Sequence, residues 1–201
     1  MLRRRFIGRD NLPSIYQRVN YIESNGNTYI TLNITADLYT YIETSISYPS
    51  NQGILFGQDY ILLQFNRSLS PPVIYAYGGS GGNQLRANLS SWNDFAEVEC
   101  KMYPNEQYCK LNGVLLGSTT FASDYTTPYY NQPYSVLFAR NLYGENKIAC
   151  KLRYFKLYNG SNKQLVRDLV PVKRSSDNRV GMWDFVSKAF YTDANGYLIF
   201  G

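Results

Sequence analysis

The sequence predicts an all-β protein that folds as an antiparallel two-sheet β-sandwich of jelly-roll size. Short runs rich in β-branched and aromatic residues recur along almost all of the 201 residues, and 20 residues are tyrosine, a strand former. Asn-Gly turn signals separate many runs, and no long stretch has the period of a helix. Many short strands with regular turns over about 200 residues are typical of a sandwich.

Sixteen strand candidates follow one another along the chain. They span residues 21–24, 28–34, 39–48, 54–57, 60–66, 73–78, 85–89, 94–103, 108–111, 114–120, 134–140, 148–158, 165–173, 180–185, 188–192 and 197–200. Turns are predicted at Asn25-Gly26, Asn112-Gly113, Asn159-Gly160 and Asn195-Gly196, because such pairs accept the positive φ of tight hairpins.

Two candidate strands differ in how clearly they alternate. In AEVECKMY, Val98 to Met102 at even positions share an apolar face, and Glu97 to Lys101 at odd positions share a charged one. In residues 151–158, alternation puts Leu152, Tyr154 and Lys156 on the face opposite Arg153, Phe155 and Leu157. This pattern is only weakly amphipathic, as expected where both faces contact other structure. Both segments favour strands of a sandwich.

We predict one domain at residues 13–201, preceded by a basic arm at residues 1–12. The net charge of +5 is uneven, with +4 on residues 1–18, −5 on 19–146 and +6 on 147–201. Pro13 marks where the fold is expected to begin. A basic arm can bind nucleic acid or an acidic protein surface, and a solvated tail is the third possibility.

The arm is the predicted partner anchor. Arg3, Arg4 and Arg5 offer planar donors to carboxylates, and Phe6 and Ile7 offer apolar contacts. The expected partner is a protein that presents an acidic groove, and nucleic acid is disfavoured. Ordering on binding would limit the affinity, so several copies per site would help.

The composition argues against most catalytic and metal sites. The absence of histidine removes the commonest general base and metal ligand. No cofactor is predicted. A calcium site made of loop carbonyls and one or two Asp residues is an open alternative, but no cluster of Asp residues points to one. No apolar run approaches the roughly 18 residues of a membrane helix, and the N-terminus lacks a secretory apolar region.

The three cysteines form no zinc spacing. Cys100 and Cys109 could face each other across a hairpin turning at Pro104-Asn105 and form a disulfide. Buried free thiols are the favoured alternative.

The carboxylates do not predict an enzyme. Glu97 and Glu99 are the close pair within one strand, but the Glu-x-Asp-x-x-Glu pattern of sandwich-fold glucanases is absent. A solvated strand face is the favoured interpretation, so a sandwich-fold glycosidase is disfavoured.

Candidate glycan-binding residues surround the one Gly-rich stretch, YAYGGSGGNQL at residues 75–85. The stretch lacks Gly-Lys-Ser/Thr and no helix pattern follows, so we expect a loop between strands and not a phosphate cradle. Tyr75, Tyr77 and Asn83 could still line a glycan site, because sugars stack on aromatic faces and bond to amides. Trp92 is the fourth candidate.

Both ends of the chain resemble a group of bacteriophage virion proteins that carry a concanavalin-A-like, laminin-G-like jelly roll. The motifs are LPSIYQRVNYIESNGNTYITLN at residues 12–33, and LVRDLVPVKR followed by VGMWDFVSKAFY within residues 147–201. The hairpin YCKLNGVLLGS at 108–118 and the basic opening MLRRR are also similar. The resemblance is loose between residues 35 and 105.

The resemblance implies a sandwich of the concanavalin-A-like lectin and glucanase type in a non-enzymatic virion protein. Such a head fibre, capsid decoration, tail fibre or baseplate component would assemble in the host cytoplasm. It would contact capsid, portal-vertex or tail proteins, either as a homo-trimer or in another oligomeric state. The alternative is an adhesin for host or mucosal glycans.

The end motifs are expected to determine the fold and to carry no chemistry. Asn25-Gly26-Asn27 should be a turn that closes the sandwich where the first and last strands meet. Arg167 and Asp168 should form ion pairs or backbone bonds at strand ends, and Trp183 should pack.

Overall fold

The computed structural model describes residues 12–37, 39–58, 61–78, 84–103, 105–120, 134–141 and 143–201, and these residues contain strands and no helix. The strands are β1 Tyr16–Arg18, β2 Ile22–Asn25, β3 Ile30–Thr31, β4 Thr40–Ser47, β5 Gly53–Gln58, β6 Ile61–Asn66, β7 Val73–Gly78, β8 Gln84–Asn88, β9 Phe95–Met102, β10 Glu106–Leu111, β11 Val114–Thr120, β12 Val136–Leu137, β13 Ala149–Asn159, β14 Gln164–Arg174, β15 Val180–Asp184, β16 Ala189–Tyr191 and β17 Ile199–Phe200.

These strands form two antiparallel sheets, which confirms the predicted sandwich. The large sheet has the order β11-β10-β9-β4-β13-β14-β15-β16, with β1 paired to β14 and with β2 paired to both β13 and β17. The small sheet has the order β3-β12-β5-β6-β7-β8. Apolar residues from the inner faces of both sheets form one core.

All sixteen predicted segments contain a strand. β1 was missed, because its three residues, YQR, show no apolar alternation. Its pairing to Val172, Lys173 and Arg174 of β14 is made by the backbone. Sequence pattern carries no signal for such a contact.

Strand phase was predicted correctly in β9 and wrongly in β13. Val98, Cys100 and Met102 are buried in the core, as expected. In β13, Leu152 and Phe155 both point into the core, because the pairing register with β4 shifts between Leu152 and Tyr154. This bulge gives the strand one extra residue and changes its phase.

The Asn25-Gly26-Asn27 segment is the predicted turn where the ends of the fold meet. Gly26 has a φ of 87°, and the Asn27 amide donates to the Asn25 side chain at 3.0 Å. The preceding strand, β2, is hydrogen-bonded to β13 on one side and to β17 on the other.

Cys100 and Cys109 form a disulfide, so the preference for free thiols was wrong for this pair. The two residues are direct partners in the β9–β10 ladder, with Cα atoms 4.4 Å apart. That separation lies in the range from which two cysteines can be bridged without moving the backbone. Cys150 is a buried free thiol, and burial raises its pKa.

Arg167 of β14 and Asp184, the last residue of β15, form a buried polar pair. Their Nε and Oδ2 atoms are 3.6 Å apart, and Arg167 also donates to the backbone carbonyls of Leu32 and Asn33. The Asp168 amide donates to Asp184 at 2.8 Å. The predicted bonds are present, although Arg167 and Asp168 lie within β14 and not at its end.

Trp183 packs as predicted, but on the outer side of the large sheet. It lies in a small cluster with Val170 and Val172, and the Tyr16 ring covers it at a centroid distance of 4.8 Å. Leu12 packs against the same cluster. Residues 1–11, including Arg3, Arg4, Arg5, Phe6 and Ile7, lie outside the described residues, so the arm stays a prediction.

Candidate functional site

The outer face of the small sheet is covered along β5 and at least partly exposed along β6, β7 and β8. Backbone atoms of Ala139 and Arg140 lie where a Cβ on Gly57 would project, on the face that Gly57 shares with its ladder partner Leu62. Glycine allows this close approach because it has no side chain. The crossing segment buries β5 completely, so it forms a wall beside the open faces of β6, β7 and β8.

Two rows of side chains cross the open strands in register. They are Gln64–Tyr75–Arg86 and Leu62–Tyr77–Gln84. Directly opposed residues in an antiparallel pair lie close enough for their side chains to interact. We call these six residues the tyrosine platform.

The two tyrosines lie side by side at the centre of this platform. Their ring centroids are 5.9 Å apart and their planes are tilted by 37°. Both side chains are partly exposed, whereas Ile74 and Ala76 on the other face of β7 are buried. β7 therefore turns its aromatic side chains outward and its aliphatic ones into the core.

Charges near the platform come from arginine. Arg86 of β8 is exposed in the row that contains Tyr75. Desolvation and the neighbouring Tyr75 raise the pKa of Tyr77, and the positive charge of Arg140 opposes that shift. Arg140, which belongs to the wall, thus interacts electrostatically with Tyr77. Together with Arg86 it places cationic donors on two sides of the tyrosine pair.

This arrangement suits a ligand that has both apolar faces and many hydroxyls. Aromatic rings can pack against the C–H face of such a ligand, and Tyr hydroxyls can bond at its edge. Gln64 and Gln84 supply amide donors and acceptors, while guanidinium groups supply donors in a fixed plane.

The structure brings together two of the four predicted glycan-binding residues. Tyr75 and Tyr77 share the platform, and Asn83 lies outside the described residues. Trp92 packs against Phe65, which faces the core, and its Nε1 donates to the Ile46 carbonyl. Trp92 therefore lies on the other side of the small sheet from the two tyrosines. The prediction that Trp92 contributes to the same glycan site was wrong.

Gln64, Arg86 and Arg140 were not among the predicted site residues. Gln64 and Arg86 could have been found from the register of two consecutive hairpins, β6–β7 and β7–β8. The position of Arg140 depends on the chain crossing β5, and no local pattern encodes that crossing.

The outer face of the large sheet carries a second group of polar side chains, centred on a pair of glutamates. Glu43 and Glu99 are direct ladder partners on β4 and β9. Lys110 Nζ lies 2.9 Å from Glu99, and Lys156 Nζ lies 3.9 Å from Glu43. Desolvation raises the pKa of Glu99, but hydrogen bonds from Lys110, Tyr41 and Tyr108 outweigh it and hold that pKa below its usual value.

A general acid needs a raised pKa, and Glu99 has the opposite shift. Glu97, on the same strand, accepts a hydrogen bond from the Tyr154 hydroxyl. The predicted solvated face is therefore a network of bonded carboxylates. Across the described ranges, no group of three or more Asp, Glu or Cys side chains is gathered to hold a metal ion. The same residues include no apolar helix of membrane-spanning length.

The network predicts a loss of stability at alkaline pH. Desolvation and the hydrogen bond to Glu99 raise the pKa of Tyr108 to about 12 from its ordinary 10.0. The unfolded state ionises first, so the free energy of unfolding should fall as the pH rises from about 10 to about 12. Urea unfolding across this range should give a shallower fall for Tyr108→Phe than for the parent protein. Equal slopes would contradict the assignment.

Comparison with known proteins identifies a fold but no family. No family model matches the chain, and no curated protein matches it. A "putative carbohydrate binding protein" from Bacteroides ovatus superposes with a TM-score of 0.63 at 12% identity, covering 92% of this chain and 60% of that one. The chain thus spans about 60% of that protein's length.

A second solved structure is more distant. The Caenorhabditis elegans galectin LEC-6 matches at 12% identity with a TM-score of 0.38, over 69% of this chain and 94% of the galectin. Neither likeness shows a bacteriophage origin for this chain. The likeness to the Bacteroides ovatus protein shows that this chain shares its fold, a two-sheet antiparallel sandwich.

Proposed function

We propose that this chain is a carbohydrate-binding module that holds a neutral glycan on the tyrosine platform. The observation that carries the proposal is the pair of partly exposed tyrosines, Tyr75 and Tyr77, flanked in register by Gln64, Arg86 and Gln84. An isolated aromatic pair would suit many partners. Amide and guanidinium groups beside both rings favour a ligand that is rich in hydroxyls.

The fold supports the same function. The Bacteroides ovatus neighbour is described as carbohydrate-binding, and this chain shares its architecture at low sequence identity. Fold alone does not determine function, so the proposal depends on the side chains of the platform.

We propose binding without catalysis. Glu43 and Glu99 each have a lysine partner, and the pKa of Glu99 is lowered. These features support a structural role for the carboxylates rather than glycoside hydrolysis, which needs one carboxyl group that stays protonated.

Placement on a virion surface is a separate proposal, with host or mucosal glycan as ligand and other virion proteins as partners. It is supported by the resemblance of residues 12–33 and 147–201 to bacteriophage virion proteins. Detection of this chain by mass spectrometry in purified phage particles tests it, and its absence from such particles would count against it.

The test of the platform is binding of neutral oligosaccharides by the full chain. A panel of lactose, cellotriose, mannotriose and chitotriose should contain at least one ligand, detected by saturation-transfer NMR and measured by calorimetry. The double change Tyr75→Ala/Tyr77→Ala should weaken that binding at least about tenfold, because central aromatic residues carry most of the energy of a contact.

Tyr197→Ala is the matched control, because Tyr197 is 55% exposed and lies before β17 in the large sheet. It should leave the affinity unchanged. Absence of binding to every oligosaccharide, or equal binding by the double variant, would overturn the proposal.

A further inference from the structure

A cavity of about 420 Å³ opens on the outer face of the large sheet, away from the tyrosine platform. Its floor is formed by β4, β9 and β13, and its sides are formed by β14 and by residues 18–20. Its size falls within the range of small-molecule sites, about 300–1,000 Å³.

The bulge in β13 places two side chains beside this cavity. Leu152 and Phe155 both point into the core, so the two residues between them, Arg153 and Tyr154, both reach the outer side. A regular strand would turn one of them inward. Bulges often redirect side chains in this way beside functional sites.

A polar row forms the cavity floor. Glu97, Ser45 and Tyr154 are successive ladder partners across β9, β4 and β13. The Tyr154 hydroxyl donates to Glu97, which leaves further lone pairs on that carboxylate. Ser45 is 2% exposed, and its hydroxyl makes no hydrogen bond with another side chain or backbone group in the described part of the chain.

The two arginines of the lining differ in their partners. The guanidinium of Arg153 lies 3.7 Å from the Phe95 ring centroid and 3.8 Å from Asp94. The Arg18 guanidinium has no carboxylate within 4.0 Å among the described residues, and it lies 5.9 Å from the centroid of the Phe185 ring. Of the two arginines of the lining, Arg18 is therefore the one whose positive charge has no carboxylate partner among the described residues.

We infer that this cavity binds a uronic acid residue, a sugar that carries a carboxylate. Arg18 can hold the carboxylate with two parallel N–H bonds, the geometry that guanidinium favours. Glu97 and Ser45 can bond to the ring hydroxyls, and the apolar side chain of Val170, which lies on the outer face of β14, can contact the C–H face. The inference does not depend on the platform, because the two sites lie on different sheets.

The inference changes the expectation for one residue. The sequence pattern favours a solvated strand face for Glu97, on which Glu97→Gln would be expected to change only the surface charge. In the cavity its lone pairs accept from Tyr154 and face a ligand, so this substitution should also weaken binding.

The experiment is titration of the full chain with D-glucuronate and D-galacturonate at low salt, followed by NMR chemical shifts. At least one uronate should bind in the millimolar range, and D-glucose and D-galactose should bind at least tenfold more weakly. Arg18→Gln should lower uronate affinity about tenfold or more, because it removes a charge-assisted contact. Arg18 is exposed, so this change should not disturb folding.

Lys163→Gln is the matched control, because it removes one exposed positive charge in the turn after β13, outside the cavity lining. It should leave uronate affinity unchanged, as should Tyr75→Ala/Tyr77→Ala. The inference is overturned if neither uronate binds, if Arg18→Gln binds as tightly as the parent, or if glycine zwitterion binds better than both uronates. Failure of the platform would appear separately, as loss of neutral oligosaccharide binding while uronate binding persists.

Discussion

Replacing Phe155 by alanine is expected to lower the free energy of unfolding by about 3–5 kcal/mol. Phe155 is fully buried on the inner face of β13, and it stacks on Phe56 of the small sheet with ring centroids 5.6 Å apart. Alanine would leave a cavity between two sheets, and neither sheet can close it without moving a whole strand. Urea unfolding, followed by far-UV circular dichroism, measures the loss.

Phe200→Ala is the control for this prediction. Phe200 lies on β17 of the large sheet but is 46% exposed, so most of its ring is already in water. Its removal should cost well under half as much. Equal losses for the two variants would show that the Phe56–Phe155 contact does not hold the sheets together as described.

Asp184→Ala should be comparably damaging, with a loss of about 3–5 kcal/mol. The carboxylate is fully buried and accepts hydrogen bonds from the amides of Asp168, Val186 and Ser187, and from the Ser187 hydroxyl. Its removal would leave those donors unsatisfied and would take the nearest carboxylate away from buried Arg167. Thermal and urea unfolding would both report the change.

Two other variants separate charge from shape at this position. Asp184→Asn keeps a carbonyl acceptor but loses the charge, so its effect should be intermediate. Asp177→Ala removes a carboxylate that also bonds to an arginine, Arg174, but at an exposed turn. Its effect should be much smaller because water replaces the lost contact. An Asp184→Ala protein as stable as Asp177→Ala would contradict the buried-network description.

The fold was predictable because its strands carry local signals. Alternation in AEVECKMY gave the phase of β9, and Asn112-Gly113 gave the hairpin of β10 and β11, where both residues have positive φ. The phase of β13 was not predictable, since its bulge arises from pairing with β4, a strand more than 100 residues earlier. The disulfide was not predictable either, because it depends on the register of the β9–β10 hairpin. That register makes Cys100 and Cys109 direct partners.

The candidate site was predictable only in part. Tyr75 and Tyr77 stood out because they flank a Gly-rich stretch on a short strand. Arg140 reaches the platform from a segment that crosses β5, and Arg18 reaches the cavity from β1, whose sequence shows no strand pattern. Both placements follow from tertiary packing, on which local sequence pattern has no bearing.

The pairing of β4 with β13 has a consequence for synthesis on the ribosome. The Thr44 hydroxyl donates to the Tyr154 carbonyl, 110 positions later in the chain. A nascent chain that has emerged through β11 can pair β4 with β9, yet the other edge of β4 has no partner until β13 emerges. Late, long-range pairing of this kind slows folding and leaves a strand edge open to other chains. The yield of folded protein should therefore depend most on translation speed and chaperone access while residues 121–160 emerge from the ribosome.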